Sequence, residues 1–282
     1  HKTILLCLIK AHYLFLPEAI QSKEKLAIIF CIVLIVPALL INLGLMAVIE
    51  DEAIRGLVAL EMWYSGDYIA PTINATPYYN KPPLYNWIIL VSCTIFGNAD
   101  EFSLRFPTAL STFLYGVCIY TIYNKSMSKL AAITVTLLAI TCGRIFFYDS
   151  FKGLIDMTFS MCMFSLMLGS YQLARQKDWT KMFLFAYFLA AIGFLLKTLP
   201  AIVFLGLSLL LILIVEKEFK RFFTIPHFLG IGIFIVIVGS YYFVYSLDHD
   251  VVALFTKMLT ESTDRTAVKF GIGRTIAHIF TF

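Results

Sequence analysis

Long apolar runs separated by short polar connections dominate this chain. A helix that crosses the hydrocarbon core of a membrane needs about 20 mainly apolar residues, and stretches of about 17–25 are usual. By this measure we predict seven membrane spans, the fifth of them short: Leu26–Ile49, Phe106–Tyr123, Leu130–Tyr148, Ile155–Ala174, Met182–Leu196, Leu199–Val215 and Ile225–Leu247. Pro107, Pro200 and Pro226 lie at or beside predicted span starts, where a missing backbone N–H costs little.

The segment Leu84–Gly97 decides how these spans alternate across the membrane. It is short, contains the polar residues Asn86 and Ser92, and follows Pro82-Pro83. An apolar stretch of about 10–14 residues is more typical of an interfacial or re-entrant helix than of a crossing. We therefore predict that this segment rests at the membrane surface.

The charges of the connections favour the same topology. If Leu84–Gly97 does not cross, the connections form two alternating sets. These are 1–25, 124–129, 175–181 and 216–223 on one side, and 50–105, 144–154, 197–198 and 248–282 on the other. The first set has 12 Lys or Arg against 5 Asp or Glu, and the second, counting Asp156 at the edge of a predicted span, has 10 against 13. Because basic connections stay in the cytoplasm, we predict a cytoplasmic amino terminus.

The fold class predicted by this pattern is an all-α polytopic membrane protein. Its composition agrees, with 60% hydrophobic and 14% charged residues, whereas soluble domains average about 45–50% and about 25%. We predict a cytoplasmic segment 1–25, a transmembrane core 26–247 and an outer segment 248–282. The core includes the outer loop 50–105 with its juxtamembrane helices. No Walker loop, dinucleotide motif or G-x-S-x-G occurs, so a nucleotide donor has no evident cradle.

The outer loop carries the first candidates for chemistry. Asp51 and Glu52 follow the first span directly, and Lys81 precedes Pro82-Pro83. Adjacent carboxylates repel each other, so one can act as a base, or both can bind a cation or sugar hydroxyls. An ammonium on a rigid turn suits an anionic lipid headgroup. The plainer alternatives are a solvated helix end for the acids and a snorkelling lysine.

Two further charged residues border predicted spans on the same side. Asp156 opens the fourth span, where it can be a functional acid or simply a partner of the helix dipole. Lys197 stands between two apolar runs, in a connection too short to need a charge. A phosphate contact therefore competes with plain solvation as its role.

These residues resemble a known family. The quoted positions are Asp51-Glu52, Glu61-Met62, Ser65-Gly66-Asp67, Pro71, Tyr79-x-Lys81-Pro82, Arg105-Phe106-Pro107, Asp156 and Lys197. Their pattern is similar to that of the aminoarabinose lipid A transferase and protein O-mannosyltransferase group, C-type membrane glycosyltransferases of the family 39 kind. The resemblance extends over about residues 30–270.

The resemblance implies an inverting glycosyltransferase of the bacterial inner membrane with a periplasmic active site. Its donor would be a polyprenyl-phosphate-linked sugar, and its acceptor a lipid A-like lipid, a glycan or a protein. By position, Asp51, Glu52 and Asp156 would be catalytic. The donor phosphate would be bound by Lys81, Lys197 and Arg265, while Tyr79, Asn80 and Arg55 would line the substrate cavity.

The departures from the family pattern concern substrate and metal. The aminoarabinose transferases follow the Asp-Glu pair with Thr-Arg-Tyr-Ala-Glu, and here Ala53-Ile54-Arg55-Gly56-Leu57 stands instead. Asn80 replaces a Glu, and Ser262 lies roughly where the family has a His. That Glu and His can hold a metal, so we expect no zinc and no cofactor, and leave a divalent metal open. Because family members are longer, we expect the chain to be part of a larger protein.

Two other functions fit the same composition. A lipid or solute transporter (a flippase, for example) also needs charged residues among its helices, but transport sites lie near the bilayer midplane. Here the candidate charges collect at one surface, which favours catalysis. A non-catalytic subunit of the same superfamily is the third alternative, and it should tolerate loss of both Asp51 and Lys81.

Overall fold

A computed structural model describes residues 26, 29–30, 33–257 and 260. Arg265, the predicted segment 1–25 and most of 248–282 therefore lie outside the described residues. Within them the chain is helical apart from one antiparallel hairpin, β1 (Thr72–Ile73) paired with β2 (Thr76–Pro77). The helices are α1 (Asp51–Ser65), α2 (Leu84–Phe96), α3 (Glu101–Tyr123), α4 (Lys129–Ile140), α5 (Ile155–Phe164), α6 (Ser170–Arg175), α7 (Trp179–Lys197), α8 (Leu199–Val215) and α9 (Ile225–Asp248). Further helical turns occupy 33–40, Ile145–Asp149, Phe219–Phe223 and 251–257.

The helix that follows α2 begins earlier than its apolar pattern predicts. The Asp100 side chain caps α3 by accepting a hydrogen bond from the Ser103 N–H (2.8 Å). Pro107 consequently lies inside the helix, where its missing N–H leaves the Ser103 carbonyl without an intrahelical donor. The buried Ser92 hydroxyl of α2 donates to that carbonyl instead (2.7 Å). The proline thus creates a hydrogen bond that joins α2 to α3.

Two predicted spans are shorter as helices than their apolar runs. The described residues of the run Leu26–Ile49 are helical at 26, 29–30 and 33–40, and the chain then passes into turns before α1. The run Leu130–Tyr148 is α4 only as far as Ile140. There the Thr141 hydroxyl competes for the Leu137 carbonyl (2.6 Å), and Gly143, which has poor helix propensity, follows. In the second run the chain becomes helical again at 143–149, which includes the π-helical turn Ile145–Asp149, so both apolar runs extend past the end of a regular α-helix.

Helix α7 lies at the centre of the bundle and contacts α5, α6, α8 and α9. Its partner α5 continues through a π-helical turn, Ser165–Gly169, into α6 without a break. Glycines permit the close helix contacts. A Cβ on Gly193 would lie 3.1 Å from the Cβ of Ala201 in α8, and a Cβ on Gly230 of α9 would collide with the Tyr187 ring.

The contacts define two ends of this bundle. At one end, Gln172 donates to the Ile122 carbonyl (2.6 Å), and Lys177 pairs with Glu216 (2.9 Å). This end contains most of the Lys and Arg residues of connections 124–129, 175–181 and 216–223. The other end contains the start of α1, the first turns of α3, the start of α5 and the end of α7. Tyr85 and Ser92 bond to α3 at Thr108 and Ser103, so α2 stays beside these first turns.

Three of the described helices are long and apolar enough to cross a membrane: Glu101–Tyr123, Trp179–Lys197 and Ile225–Asp248. Leu84–Phe96, Lys129–Ile140 and Leu199–Val215 are apolar but shorter. The helical, polytopic membrane class is therefore confirmed at this level. The predicted count of seven spans stays a prediction.

Replacing Gly230 by Ala should destabilise the protein, because the new methyl group collides with the Tyr187 ring. We expect a loss of about 1–3 kcal/mol, as is usual for overpacking. Gly232→Ala is a matched control on the same helix, because nothing lies within 4 Å of the added Cβ. It should leave stability unchanged or raise it by up to about 1 kcal/mol. Melting temperatures in detergent test this, and equal temperatures for the two variants would contradict the packing.

Candidate active site

A buried ion pair between Glu52 and Arg105 organises this end of the bundle. The Arg105 Nε donates to Glu52 Oε1 at 2.6 Å, and its Nη2 donates to Oε2 at 2.9 Å. The two side chains are 1% and 3% exposed. The remaining guanidinium donors bond to the carbonyls of Leu43, Met46 and Ala47, at 2.7, 2.8 and 3.1 Å. All five donors of a guanidinium are therefore used.

This arrangement explains where the first helix stops. In the turns that follow 33–40, three backbone carbonyls accept hydrogen bonds from one guanidinium. These carbonyls therefore do not need the donors that a continuing helix would supply. On the opposite side, Glu52 Oε1 accepts the Gly153 N–H at 2.7 Å. A Cβ on Gly153 would lie 3.1 Å from that same oxygen and from the Leu104 carbonyl. One ion pair thus fixes the 43–47 turns, α1, α3 and the start of α5 together.

A second buried group brings the predicted site residues near each other. The Tyr85 hydroxyl of α2 bonds to the Thr108 hydroxyl of α3 (2.6 Å), which lies 3.3 Å from the Leu154 carbonyl. Arg55, Glu52 and Asp156 are the charged groups that act electrostatically on this tyrosine. Charged residues distant in sequence, on α1 and α5, therefore lie within electrostatic range of the same hydroxyl.

Asp156 and Lys197 form an ion pair, with Lys197 Nζ 2.5 Å from Asp156 Oδ1. Asp156 is half exposed, and Lys197 is 23% exposed. Thr198, the single residue between α7 and α8, has φ 60° and ψ −122°, a strained conformation for a residue with a side chain. The predicted break between the two apolar runs is present as a break between helices, and it holds the lysine at the end of α7 beside the acid of α5.

Asp51 is the first residue of α1 and lies exposed. Its carboxylate forms no hydrogen bond or ion pair with the described part of the chain. Glu50 before it also has a strained backbone, with φ 56° and ψ −134°. The Glu50 side chain pairs with Lys152 at 3.1 Å. Asp51 is therefore presented to the surface between fixed neighbours.

Arg55, one helical turn after Asp51, is buried with 6% exposure. Its Nη2 donates to the Tyr78 hydroxyl at 2.9 Å, and the guanidinium carbon lies 5.5 Å from the centre of the Tyr78 ring. Its Nη1 is buried and has no hydrogen-bond partner among the described residues. Arg55 thus differs from Arg105, whose donors are all used.

The loop that leads to Lys81 is attached to α1 by Glu61. This carboxylate accepts hydrogen bonds from the Thr72 hydroxyl (2.7 Å) and from the N–H groups of Asn74 and Ala75. The Thr72 bond and the two backbone bonds hold the pKa of Glu61 below its usual value. Glu61 therefore orders the hairpin before the predicted phosphate-binding turn.

Lys81 itself is half-buried, as are its predicted cavity neighbours Tyr79 and Asn80. Lys257 lies over the Tyr79 ring, 5.1 Å from its centre. Pro82 and Pro83 after the lysine are buried, and Pro83 leads directly into α2. The turn is thus fixed at both sides, by the hairpin before it and by α2 after it.

The structure relates the predicted site residues in different ways. Glu52, Arg55 and Asp156 share the surroundings of Tyr85, and Asp156 is paired with Lys197. Glu52 is enclosed in its ion pair and has little room for a substrate contact. No role was predicted from the sequence for Arg105, Tyr85 or Thr108. For Arg105 a signal existed, since an arginine in an apolar stretch requires a buried partner.

The described residues contain no group of three or more His, Cys, Asp and Glu side chains that could hold a metal ion. At this end Glu50, Glu52 and Asp156 instead pair with Lys152, Arg105 and Lys197.

The family model of the dolichyl-phosphate-mannose-protein mannosyltransferases matches residues 80–243. Among curated proteins, the undecaprenyl phosphate-alpha-4-amino-4-deoxy-L-arabinose arabinosyl transferase of Shewanella sediminis is 33% identical over 118 residues, which is 41% of this chain and 21% of that protein. The transferase of the same name from Yersinia enterocolitica is 30% identical over 208 residues, 71% of this chain and 36% of that protein. The chain thus spans well under half the length of these relatives.

Solved structures share the fold. The crystal structure of ArnT from Cupriavidus metallidurans bound to undecaprenyl phosphate matches with a TM-score of 0.66 and 21% identity, covering 78% of this chain and 41% of that one. Its apo state matches with a TM-score of 0.67, covering 80% and 42%. The helical arrangement described above is therefore shared with ArnT.

Replacing Arg105 by Lys should strongly destabilise the protein. A lysine has three donors on one nitrogen and cannot reach both carboxylate oxygens and three carbonyls. Breaking a buried, hydrogen-bonded pair costs about 3–5 kcal/mol. The control is Arg144→Lys, because Arg144 is 73% exposed in its pair with Asp149, and such pairs contribute about 0–1 kcal/mol. Unfolding in detergent measures both, and similar losses would argue against a central role for Arg105.

Proposed function

The chain belongs to the dolichyl-phosphate-mannose-protein mannosyltransferase family, and we propose that it is an inverting glycosyltransferase. It would move a sugar from a polyprenyl-phosphate-linked donor to an envelope acceptor. The observation that carries this proposal is the convergence of α1, α3, α5 and α7. Their acids and bases collect at one end of an apolar bundle, where a lipid-linked donor can present its headgroup.

The reaction requires charge stabilisation at two places. An acceptor oxygen attacks the anomeric carbon while the bond to the donor phosphate breaks, and the phosphate leaves with the electron pair. Lys81 and Lys197 are our candidates to stabilise that leaving phosphate. Arg265 is a further candidate from the sequence and lies outside the described residues. Asp156, paired with Lys197 at 2.5 Å, would position the lysine.

Asp51 is the candidate for the group that contacts the acceptor. If the acceptor is a hydroxyl, Asp51 would take its proton as a general base. If the acceptor is a phosphate already ionised at neutral pH, no base is needed, and Asp51 would stabilise positive charge that develops on the sugar. Its exposure and its lack of a protein partner suit either role. Glu52, enclosed by Arg105, would hold α1 in place rather than touch substrate.

The proposed membrane arrangement has the active end outside and the basic end in the cytoplasm. Connections 124–129, 175–181 and 216–223 carry an excess of Lys and Arg, which is typical of cytoplasmic connections. Helix α2 remains beside the first turns of α3, which supports a juxtamembrane rather than a crossing role. We therefore propose a bacterial inner-membrane protein of about seven spans with its site facing the periplasm.

The donor class follows from the names of the relatives. Arabinosyl transferases that carry undecaprenyl phosphate in their names, and an ArnT structure bound to undecaprenyl phosphate, support a polyprenyl phosphate donor. The proposal leaves three classes of sugar acceptor open: a lipid A-like lipid, a glycan and a protein. The replacement of the family's Glu by Asn80 argues against aminoarabinose chemistry that depends on a metal.

Replacing Asp51 by Asn should lower the rate of sugar transfer at least about a hundredfold, because an amide neither takes a proton nor stabilises positive charge. The fold should be unaffected, since Asp51 makes no contact that an amide would lose. The assay follows a labelled sugar from a polyprenyl-phosphate donor with the complete protein. Asp149→Asn, on the same side but in the exposed pair with Arg144, is the control.

Two results would oppose this assignment. Undiminished transfer by the Asp51→Asn protein would remove Asp51 from the mechanism. Movement of a lipid or solute across vesicles by the wild-type protein, with no glycosylated product, would favour a transporter instead.

A single cysteine at position 125, in a protein otherwise free of cysteine, should react only with membrane-permeant thiol reagents in intact cells. The reason is that Lys125 lies at the basic end, which we propose to be cytoplasmic. A cysteine at exposed position 51 is the opposite control and should react with impermeant reagents. Labelling of position 125 by an impermeant reagent would reverse the proposed topology.

A further inference from the structure

The buried guanidinium of Arg55 lacks an anionic partner. It is 6% exposed, uses one Nη2 bond to a neutral hydroxyl, that of Tyr78, and leaves Nη1 buried without a partner. No Asp or Glu of the described ranges forms an ion pair with it. An unpaired buried charge is costly, and charged groups in protein interiors are therefore normally paired.

Three other cations at this end of the bundle are paired with carboxylates. Arg105 has Glu52 at 2.6 Å, Lys197 has Asp156 at 2.5 Å, and Lys152 has Glu50 at 3.1 Å. Arg55 is thus a cation for which the protein has built a buried position and supplied no counterion among the described residues. The missing partner is most simply a group on a bound molecule.

The position of Arg55 identifies where that group lies. Residues four apart on a helix share one face, so Arg55 and Asp51 are neighbours along α1. Arg55 also acts on the Tyr85 hydroxyl, as do Glu52 and Asp156. Glu52 and Asp156 are already ion-paired, so their charges are largely compensated. An anion bound at Arg55 therefore lies beside the proposed reacting centre. Glu52 and Asp156 repel it little there, because each is already paired with a cation.

We propose that Arg55 binds an anionic oxygen group, a phosphate or a carboxylate, on the acceptor. This deepens the proposed function and rests on it. An acceptor whose nucleophile approaches Asp51 brings its neighbouring atoms to Arg55, one turn further along the helix. The donor phosphate has its own candidates in Lys81 and Lys197. Arg55 would then be a specificity-determining residue that selects acidic acceptors.

The test compares Arg55→Met and Arg55→Lys with the wild-type complete protein in detergent. Inorganic phosphate is the probe for the acceptor anion, added at constant ionic strength with undecaprenyl phosphate saturating the donor site. Phosphate should raise the melting temperature of the wild type, and Arg55→Met should abolish this rise. Arg55→Lys, which keeps the charge, should keep part of it. Arg144→Gln, which removes an exposed cation, should respond as the wild type does.

Two further measurements distinguish other roles. Without ligand, Arg55→Met should melt at or above the wild-type temperature, because it removes an uncompensated buried charge. Its affinity for undecaprenyl phosphate should stay close to that of the wild type, whereas Lys81→Gln should bind this lipid about tenfold or more weakly.

Three outcomes would overturn the proposal. A lower melting temperature of Arg55→Met with an unchanged phosphate response would make Arg55 structural. An equal loss of undecaprenyl phosphate affinity in Arg55→Met and Lys81→Gln would assign it to the donor phosphate. The absence of any phosphate response in the wild type would remove the anion site. Because these are binding measurements, failure of sugar transfer in the wild type would instead count against the proposed function.

Discussion

The ion pair of Glu52 and Arg105 is the interaction on which the rest of the active end depends. It joins the turns after the first helix, α1, α3 and the loop before α5 through a single planar group. Burial of two charges is costly, and it is tolerated here because all five guanidinium donors and both carboxylate oxygens are used. The pair fixes the direction in which α1 begins, and with it the exposed position of Asp51.

Around this pair, some residues of the site are held rigidly, and others keep hydrogen-bonding groups without a partner among the described residues. Strained residues, Glu50 and Thr198, stand directly before Asp51 and directly after Lys197. Backbone strain of this kind persists where surrounding contacts enforce it, and it is common at functional sites. Arg105, Lys152 and Lys197 are each paired with a carboxylate of the protein, whereas Arg55 has no such partner among the described residues.

Local sequence signals predicted some elements well and others poorly. Leu199–Val215 has the predicted bounds, because a strong apolar run between Thr198 and Glu216 admits few alternatives. The start of α3 was missed, because a proline normally marks the beginning of a helix. Here Pro107 lies inside the helix, and the carbonyl of Ser103 that it leaves without a donor accepts a hydrogen bond from Ser92 of another helix. The basic partner of Asp156 is Lys197, which is far away in sequence, and only helix packing identifies this pair.

The sequence by itself determined the membrane class, the excess of basic residues in one set of connections, and the charged residues that are candidates for chemistry. Hydropathy and charge depend on how each segment interacts with water and lipid, so they need no long-range contact. Tertiary structure alone decided which of those charged groups are paired within the protein and which are exposed without a partner. Asp51 and Glu52 are adjacent in sequence, yet one is exposed and the other enclosed by Arg105. Successive helix positions point in different directions, so their partners are known only once the helices pack.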